Sequence, residues 1–265
     1  MLLIADNLQP LDRTIFQAVI NRNPLPIQNL VRLCEDAGAN LIDINTGPLS
    51  RNPEQIMDFL VRAVQEATDL PVLIDTTNPK AIEAGLLANT KTAIINGISL
   101  EPAKMAHILP LAVRFQTDVI GFLLYSNGHV PTTGEGRIQV AIELHSACQK
   151  AGLSPSHLII DPVLVPVSWQ NGLVQNRAIL SVIQQLPDIL DFPVRTLAGL
   201  SNLTSGERNM TRKQLLECAW IPMLASAGLT MLMMNMTRRR SVQMARTCRT
   251  LWTRDIFAWE EIDNT

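Results

Sequence analysis

Apolar residues fall in short, nearly unbroken runs that alternate along the chain with longer stretches of helical spacing. The runs are Leu2–Ile4, Leu41–Asn45, Val72–Asp75, Thr92–Ile95, Asp118–Leu124, Leu158–Asp161, Arg195–Leu200 and Thr230–Met234. A continuous apolar run is what a strand buried on both faces of a parallel sheet shows. Between the runs, Ile27, Leu30, Val31 and Cys34 recur at the spacing of one helix face. So do Ile56, Leu60, Ala63 and Val64, and then Ile138, Ile142, His145 and Cys148. Pro53 and Pro79 stand where first-turn prolines belong, and Gly38 and Gly152 where C-terminal caps belong. Strands that are each followed by a helix predict a closed (β/α)8 TIM barrel, one domain spanning residues 1–265. An open doubly wound sheet is the alternative, but it carries a glycine fingerprint after its first strand. Here the first strand runs into Ala5-Asp6-Asn7-Leu8-Gln9-Pro10, which is no phosphate loop.

Composition narrows the classes. The 265 residues suit one barrel better than two average domains, and 47% hydrophobic residues supply ample core. A formal net charge of −2 without a basic stripe excludes a nucleic-acid footprint. The cationic run Arg238-Arg239-Arg240 reads as the solvated start of a helix. Cys34, Cys148, Cys218 and Cys248 lie far apart with no C-x-x-C pair, so neither a metal cluster nor a disulfide framework is expected. The amino terminus lacks a basic region and signal core, and no apolar stretch reaches membrane-spanning length. A soluble cytoplasmic protein with reduced thiols and no bound metal is expected.

Barrel active sites are built at the carboxyl ends of the strands, and here those ends are polar. The second ends in Asp43-Ile44-Asn45-Thr46-Gly47-Pro48, the third in Asp75-Thr76-Thr77-Asn78-Pro79, the fourth in Asn96-Gly97. The sixth ends in Asp161-Pro162 and the seventh in Gly199-Leu200-Ser201-Asn202. Each residue taken alone also reads as a helix N-cap or a turn residue. Together, carboxylates and carboxamides without His or Cys suit a neutral heterocycle rich in N–H groups. A pterin offers a 2-amino group beside a ring N–H, and one carboxylate accepts from both. A phosphate ester would call instead for cations near strands seven and eight, where Arg208 and Arg238–Arg240 are the candidates.

These stretches also carry a resemblance. Leu41–Pro48, Leu73–Pro79, Ala81–Gly85, Ala93–Asn96, Ile160–Pro162 and Gly199–Asn202, in this order and spacing, resemble the pterin-binding barrel superfamily. Within it they are most similar to the methyltetrahydrofolate:corrinoid protein methyltransferases, which include the second methyltransferase of O-demethylase systems. The resemblance implies a dihydropteroate-synthase-like barrel in which Asp75, Asn96 and Asp161 anchor the pterin. It places Asn202 near the reacting N5, with Gly199 and Ser201 on the same floor and Asp43 on the rim, and matches Arg208 to a family arginine. Family members commonly open with Gly-Glu-Arg-Ile-Asn, where this chain reads Ala5-Asp6-Asn7-Leu8-Gln9. The loop after Asn202 is shorter, and Asn235 replaces a frequent Asp after the last strand.

What the resemblance implies chemically is exchange of a methyl group between N5 of tetrahydrofolate, or 5-methyltetrahydrofolate, and the cobalt of a corrinoid. The carboxamide of Asn202 would donate to or accept from N5. His107, His129, His145 and His157 are isolated and no D-x-H-x-x-G motif is present. The corrinoid is therefore expected on a separate protein docking at the barrel mouth, with a homodimer joined away from it. The rivals are dihydropteroate synthase, which needs a diphosphate site, and a non-catalytic folate-binding module.

Overall fold

The computed structural model describes residues 1–9, 12–47 and 52–252, with Trp259 and Ile262. Pro10 and Pro48, which end two of the stretches quoted above, lie outside the described residues. The strands are β1 (Leu2–Leu8), β2 (Leu41–Asn45), β3 (Val72–Asp75), β4 (Ala93–Ile98), β5 (Asp118–Phe122), β6 (Leu158–Asp161), β7 (Arg195–Gly199) and β8 (Met231–Met234). They close in chain order into one parallel barrel. The helices are α1 (Arg13–Ile20), α2 (Leu25–Asp36), α3 (Pro53–Gln65), α4 (Pro79–Ala88), α5 (Pro102–His107), α6 (Leu109–Phe115), α7 (Gly134–Lys150), α8 (Gly172–Leu190), α9 (Leu200–Leu203), α10 (Met210–Ser226) and α11 (Arg239–Trp252). The TIM barrel expected from the sequence is the observed fold.

Strand periodicity explains the layers. Ile4, Leu41, Leu73, Ile94, Ile120, Ile159, Leu197 and Met231, one from each strand, form an apolar plug inside the barrel. Their outward neighbours, among them Leu3, Ile42, Ile74, Ile95, Val119, Ile160 and Leu232, pack against Ile27, Met57, Leu60, Val64 and Ile82 of the helices. Burying each such side chain contributes about 1.5–3 kcal/mol. Side chains two residues apart share a strand face. One step up from the plug, the inward positions are therefore Asp6, Asp43, Asp75, Asn96, Phe122, Asp161, Gly199 and Met233. The barrel thus changes from oil to acid within one step.

The first strand is longer than expected. The apolar run stops at Ile4, but β1 continues through Asp6 and Asn7, because β8 and β2 supply its backbone partners. Its register shifts between Ala5 and Leu8, and Leu8 joins the outer, helix-facing cluster, as an irregularity of this kind allows. Other ends move less: β5 stops at Phe122, β7 at Gly199 and β8 begins at Met231. Asn78 caps α4, accepting from the N–H groups of Lys80 (3.0 Å) and Ala81 (3.3 Å). Gly38 and Gly152 take left-handed φ of 95° and 88° beyond α2 and α7, as the cap reading expects.

Gly97 is required by close approach. A Cβ there would lie 2.2 Å from the Ile120 carbonyl oxygen on β5, and backbone cannot step aside as a flexible side chain can. Gly97→Ala is expected to destabilise the protein by about 3 kcal/mol or more. Gly152→Ala, whose new Cβ meets nothing within 4 Å, is expected to lose only about 1 kcal/mol through its φ. Urea unfolding of both variants checks this; equal losses would contradict it.

Candidate functional site at the barrel mouth

The acid layer is assembled from the carboxyl ends of different strands, so no local sequence stretch contains it. Asp6, Asp43, Asn96 and Asp161 are buried. Asp75 is partly buried, and its Oδ2 accepts from Asn45 Nδ2 at 2.6 Å, while Asn45 Oδ1 accepts from the Gly47 N–H at 2.8 Å. Asp43 and Asn96 are hydrogen-bonded to each other through their side chains. Each still keeps its Oδ1 buried without any partner among the described residues. Asp161 Oδ1 accepts from the Val163 N–H at 2.7 Å. Asp6 is hydrogen-bonded to the Ser201 side chain.

Burial dominates the electrostatics. It pushes Asp161 up to about 7, against the opposing pull of the Val163 N–H and the Arg137 charge. Burial also raises Asp6 to about 6, opposed by Arg238 and Ser201, and Asp75 to about 6, opposed by the Asn45 hydrogen bond and Lys104. Asp43 is raised well above the usual carboxylate range by burial and then by the neighbouring Asp75 and Asp6. The nearby cations are largely committed elsewhere. Lys104 pairs with Glu101 at 2.8 Å and lies over the Phe122 ring. Arg238 pairs with the buried Glu217, which also accepts from Ser241 Oγ at 2.7 Å. The layer is therefore rich in acceptors and short of donors. It holds neither His nor Cys, and among the described residues no three His, Cys, Asp or Glu side chains are placed to hold a metal ion.

The seventh strand supplies the rim. Gly199 ends β7, and α9 carries Ser201 and Asn202 over the mouth, both exposed. The Asn202 carboxamide folds back so that its Nδ2 lies 3.6 Å from where a Gly199 Cβ would be. That amide has no side-chain hydrogen bond among the described residues and is exposed. Gly199, lacking a Cβ, leaves the space beneath the amide open.

The structure thus brings Asp43, Asp75, Asn96, Asp161 and Gly199 into one layer with Ser201 and Asn202 above it. Arg208 is placed differently. It is exposed on the loop between α9 and α10, and its backbone N–H, not its guanidinium, bonds to Glu207 Oε1 at 2.8 Å. Of the run Arg238–Arg240, Arg239 and Arg240 are exposed as a solvated helix start would be. Arg238 is not, because buried Glu217 needs a counter-charge. Asn235 accepts from Asn7 Nδ2 (3.0 Å) and from the Thr237 N–H (2.9 Å), so it ties β1 to the loop after β8. Asp6 was not among the sequence candidates, although a readable signal existed: it stands two positions beyond Ile4, as Asp43 does beyond Leu41.

Acids whose folded values exceed their ordinary ones bind more protons folded than unfolded, so stability falls as pH rises through the folded values. For Asp6, Asp75 and Asp161 that window runs from the ordinary carboxylate range up to about 7. The Tm of the ligand-free protein is expected to drop by roughly 5 °C from about pH 5 to about pH 8, and less steeply in Asp161→Asn. A Tm that is flat or rising across that interval would contradict these assignments.

Comparison with known proteins agrees with this architecture. A family model described as "Pterin binding enzyme" matches residues 15–235. A methylcorrinoid:tetrahydrofolate methyltransferase of Eubacterium limosum is 25% identical over 209 residues, covering 78% of this chain and 75% of that protein. A methionine synthase of Mycobacterium tuberculosis is 23% identical over 204 residues, which are 72% of this chain but 16% of that much longer protein. Among solved structures, a dihydropteroate synthase of Yersinia pestis superposes with a TM-score of 0.69 at 15% identity, covering 94% of this chain and 93% of that one. One of Xanthomonas albilineans gives 0.70 at 17% identity, covering 94% and 92%. At such identities the solved structures bear on the fold alone.

Proposed function

The chain belongs to the pterin binding enzyme family, and from that premise we propose that it exchanges a methyl group between N5 of tetrahydrofolate and the cobalt of a separate corrinoid protein. The observation that carries this reading is the acceptor-rich layer beneath a free carboxamide. Among the described residues, buried Asp43 Oδ1 and Asn96 Oδ1 have no donors, and a reduced pterin brings several. Asp75 and Asp161 accept from its 2-amino group and ring N–H, and Asn96 meets its amide edge. A carboxylate that is half-protonated when empty becomes a charge-assisted acceptor when donors arrive. A folate analogue lacking those N–H groups leaves the acceptors unpaired and is rejected.

In transfer toward the corrinoid, the methyl–N5 bond breaks with its electron pair staying on nitrogen, and reduced cobalt supplies the pair for the new bond. An amine nitrogen leaves poorly unless charge building on it is met by a proton or a hydrogen bond. Asn202 donates there as the bond lengthens, and a contact that strengthens toward the transition state lowers the barrier. In the reverse direction the amide turns and leaves the N5 lone pair free. The barrel's share is positioning: the layer fixes the pterin, and α9 fixes Asn202 above it. The corrinoid arrives on its own protein at the open mouth, in the cytoplasm.

The synthase reading needs cations for a diphosphate. Arg238 is engaged by buried Glu217, and the Arg208 side chain makes no contact with the layer among the described residues. The methyltransfer reading is therefore favoured. A non-catalytic folate-binding module would leave the free amide over Gly199 without a task.

Mixing the protein with 5-methyltetrahydrofolate and a reduced corrinoid protein, and following the cobalt spectrum, is expected to show methylation; methylated corrinoid with tetrahydrofolate should show the reverse. Condensation of a pterin diphosphate with p-aminobenzoate, with no transfer in either mixture, would overturn the reading. Asp75→Ala and Asp161→Ala should each weaken methyltetrahydrofolate binding by about 1.5–3 kcal/mol in calorimetry. Asn202→Ala should lower the single-turnover rate by roughly 100-fold with a Kd within about threefold of the parent. A loss wholly in Kd would make Asn202 an anchor instead.

A further inference from the structure

Arg137, in the first turn of α7, is fully buried, a placement arginine rarely takes without a partner. Only its Nε is engaged: it donates to the Pro162 carbonyl oxygen at 3.0 Å. Both terminal nitrogens are buried with no acceptor among the described residues. A methionine of similar volume would fill this space without that penalty, and exchanging a poorly partnered buried charge for an apolar side chain is often neutral or stabilising. Packing therefore does not account for the guanidinium.

The peptide next to it does. The carbonyl that accepts from Arg137 and the N–H of Val163 that donates to Asp161 Oδ1 (2.7 Å) belong to the same peptide group, the one joining Pro162 to Val163. That single peptide lies between a buried cation and a buried carboxyl, with its oxygen toward the cation and its hydrogen toward the acid. A hydrogen bond accepted at the oxygen polarises the amide and strengthens donation from its N–H. Val163, whose N–H belongs to this peptide, stands at φ 62°, a left-handed conformation that a β-branched residue adopts only under constraint. The loop beyond is fixed too. Asn176 on α8, fully buried, accepts from the Val165 N–H (3.0 Å) and donates to the Val165 carbonyl (2.8 Å). The Val167 N–H then donates to the Leu203 carbonyl (3.0 Å), next to Asn202.

We propose that Arg137 is a positioning residue for the pterin site, acting through the Pro162–Val163 peptide to aim Asp161 into the barrel and to favour its charged form. The inference rests on the functional reading above for what Asp161 binds, but not for the relay itself. Other groups that bear on this pair are the Tyr125 phenol, beyond β5, which acts on Arg137, and the ring carboxylates of Asp6, Asp43 and Asp75 on the opposing strands. The guanidinium, though lowered to about 10 by burial, is a cation throughout the range in which these acids titrate.

The test compares the parent with Arg137→Met and Arg137→Lys in the full-length, ligand-free protein. The Asp161 carboxyl carbon is followed by NMR against pH and identified by its loss in Asp161→Asn. In Arg137→Met its titration should move up by about one unit, with Tm unchanged or raised; Arg137→Lys, which keeps a charged donor, should stay near the parent. In parallel, Arg137→Met should bind methyltetrahydrofolate about five- to tenfold more weakly near pH 7 and recover to within about twofold near pH 9, where Asp161 is ionised regardless. If Arg137→Met does not fold, Arg137→Gln, a neutral donor, should show the upward shift. Coincident Asp161 titrations in parent and variant, or an affinity ratio that does not change with pH, would overturn the proposal. If the parent binds no reduced folate at all, the functional reading fails while the titration still decides the role of Arg137.

Discussion

Carboxyl groups placed inside a closed barrel, just above a wall of aliphatic side chains, are held in a medium that disfavours their charge. The plug of Ile4, Leu73, Ile94 and Ile159 excludes water from below, and the strands exclude it from the sides. Asp6, Asp43, Asp75 and Asp161 therefore ionise less readily than free carboxyls, and donors arriving from above favour their charged forms. On the proposed function, such a site suits a neutral guest with several N–H groups on one edge. A cationic guest would satisfy the charge but not the geometry of separate acceptors spread over several strands.

Much of the surrounding structure manages this tension. Each acid has at least one compensating feature: Asn45 and Lys104 for Asp75, Asn96 for Asp43, Ser201 and Arg238 for Asp6, and the Val163 N–H and Arg137 for Asp161. The nearby cations are held by other acids, Arg238 by Glu217 and Lys104 by Glu101. This arrangement lowers the unfavourable energy without filling the acceptors. A direct ion pair at each acid would stabilise the empty barrel more and bind a pterin less. The same logic explains the left-handed Val163, where local strain is retained next to the group that must stay aimed.

The fold was legible because burial on both faces writes itself as uninterrupted apolar runs, and because proline and glycine marked the helix ends at Pro53, Pro79, Gly38 and Gly152. Most of the layer was legible for a related reason: Asp43, Asp75 and Asp161 sit in or at the end of such runs, where no aliphatic strand needs a charge. Asp6 escaped because its strand contains an irregularity and two polar residues, so the apolar run ended before the strand did. Arg137 escaped for a different reason. It lies on a helix with ordinary polar spacing, and its contact is to a backbone carbonyl 25 positions away, a pairing created when α7 packs against the end of β6. The engagement of Arg238 by Glu217 is likewise a product of α10 meeting the residues that precede α11, not of either segment.

On the proposed function the ligand converts buried, partly protonated acids into satisfied carboxylates, and proton exchange on binding reads this directly. Calorimetry of 5-methyltetrahydrofolate binding near pH 6.5, repeated in buffers of different ionisation enthalpy, measures the protons that move. Because the pterin donors favour the ionised form of acids that stand at about 6 to about 7 when empty, the account predicts net proton release, with an observed heat that varies with the buffer. Tight binding with a heat independent of buffer, or with net proton uptake, would contradict it.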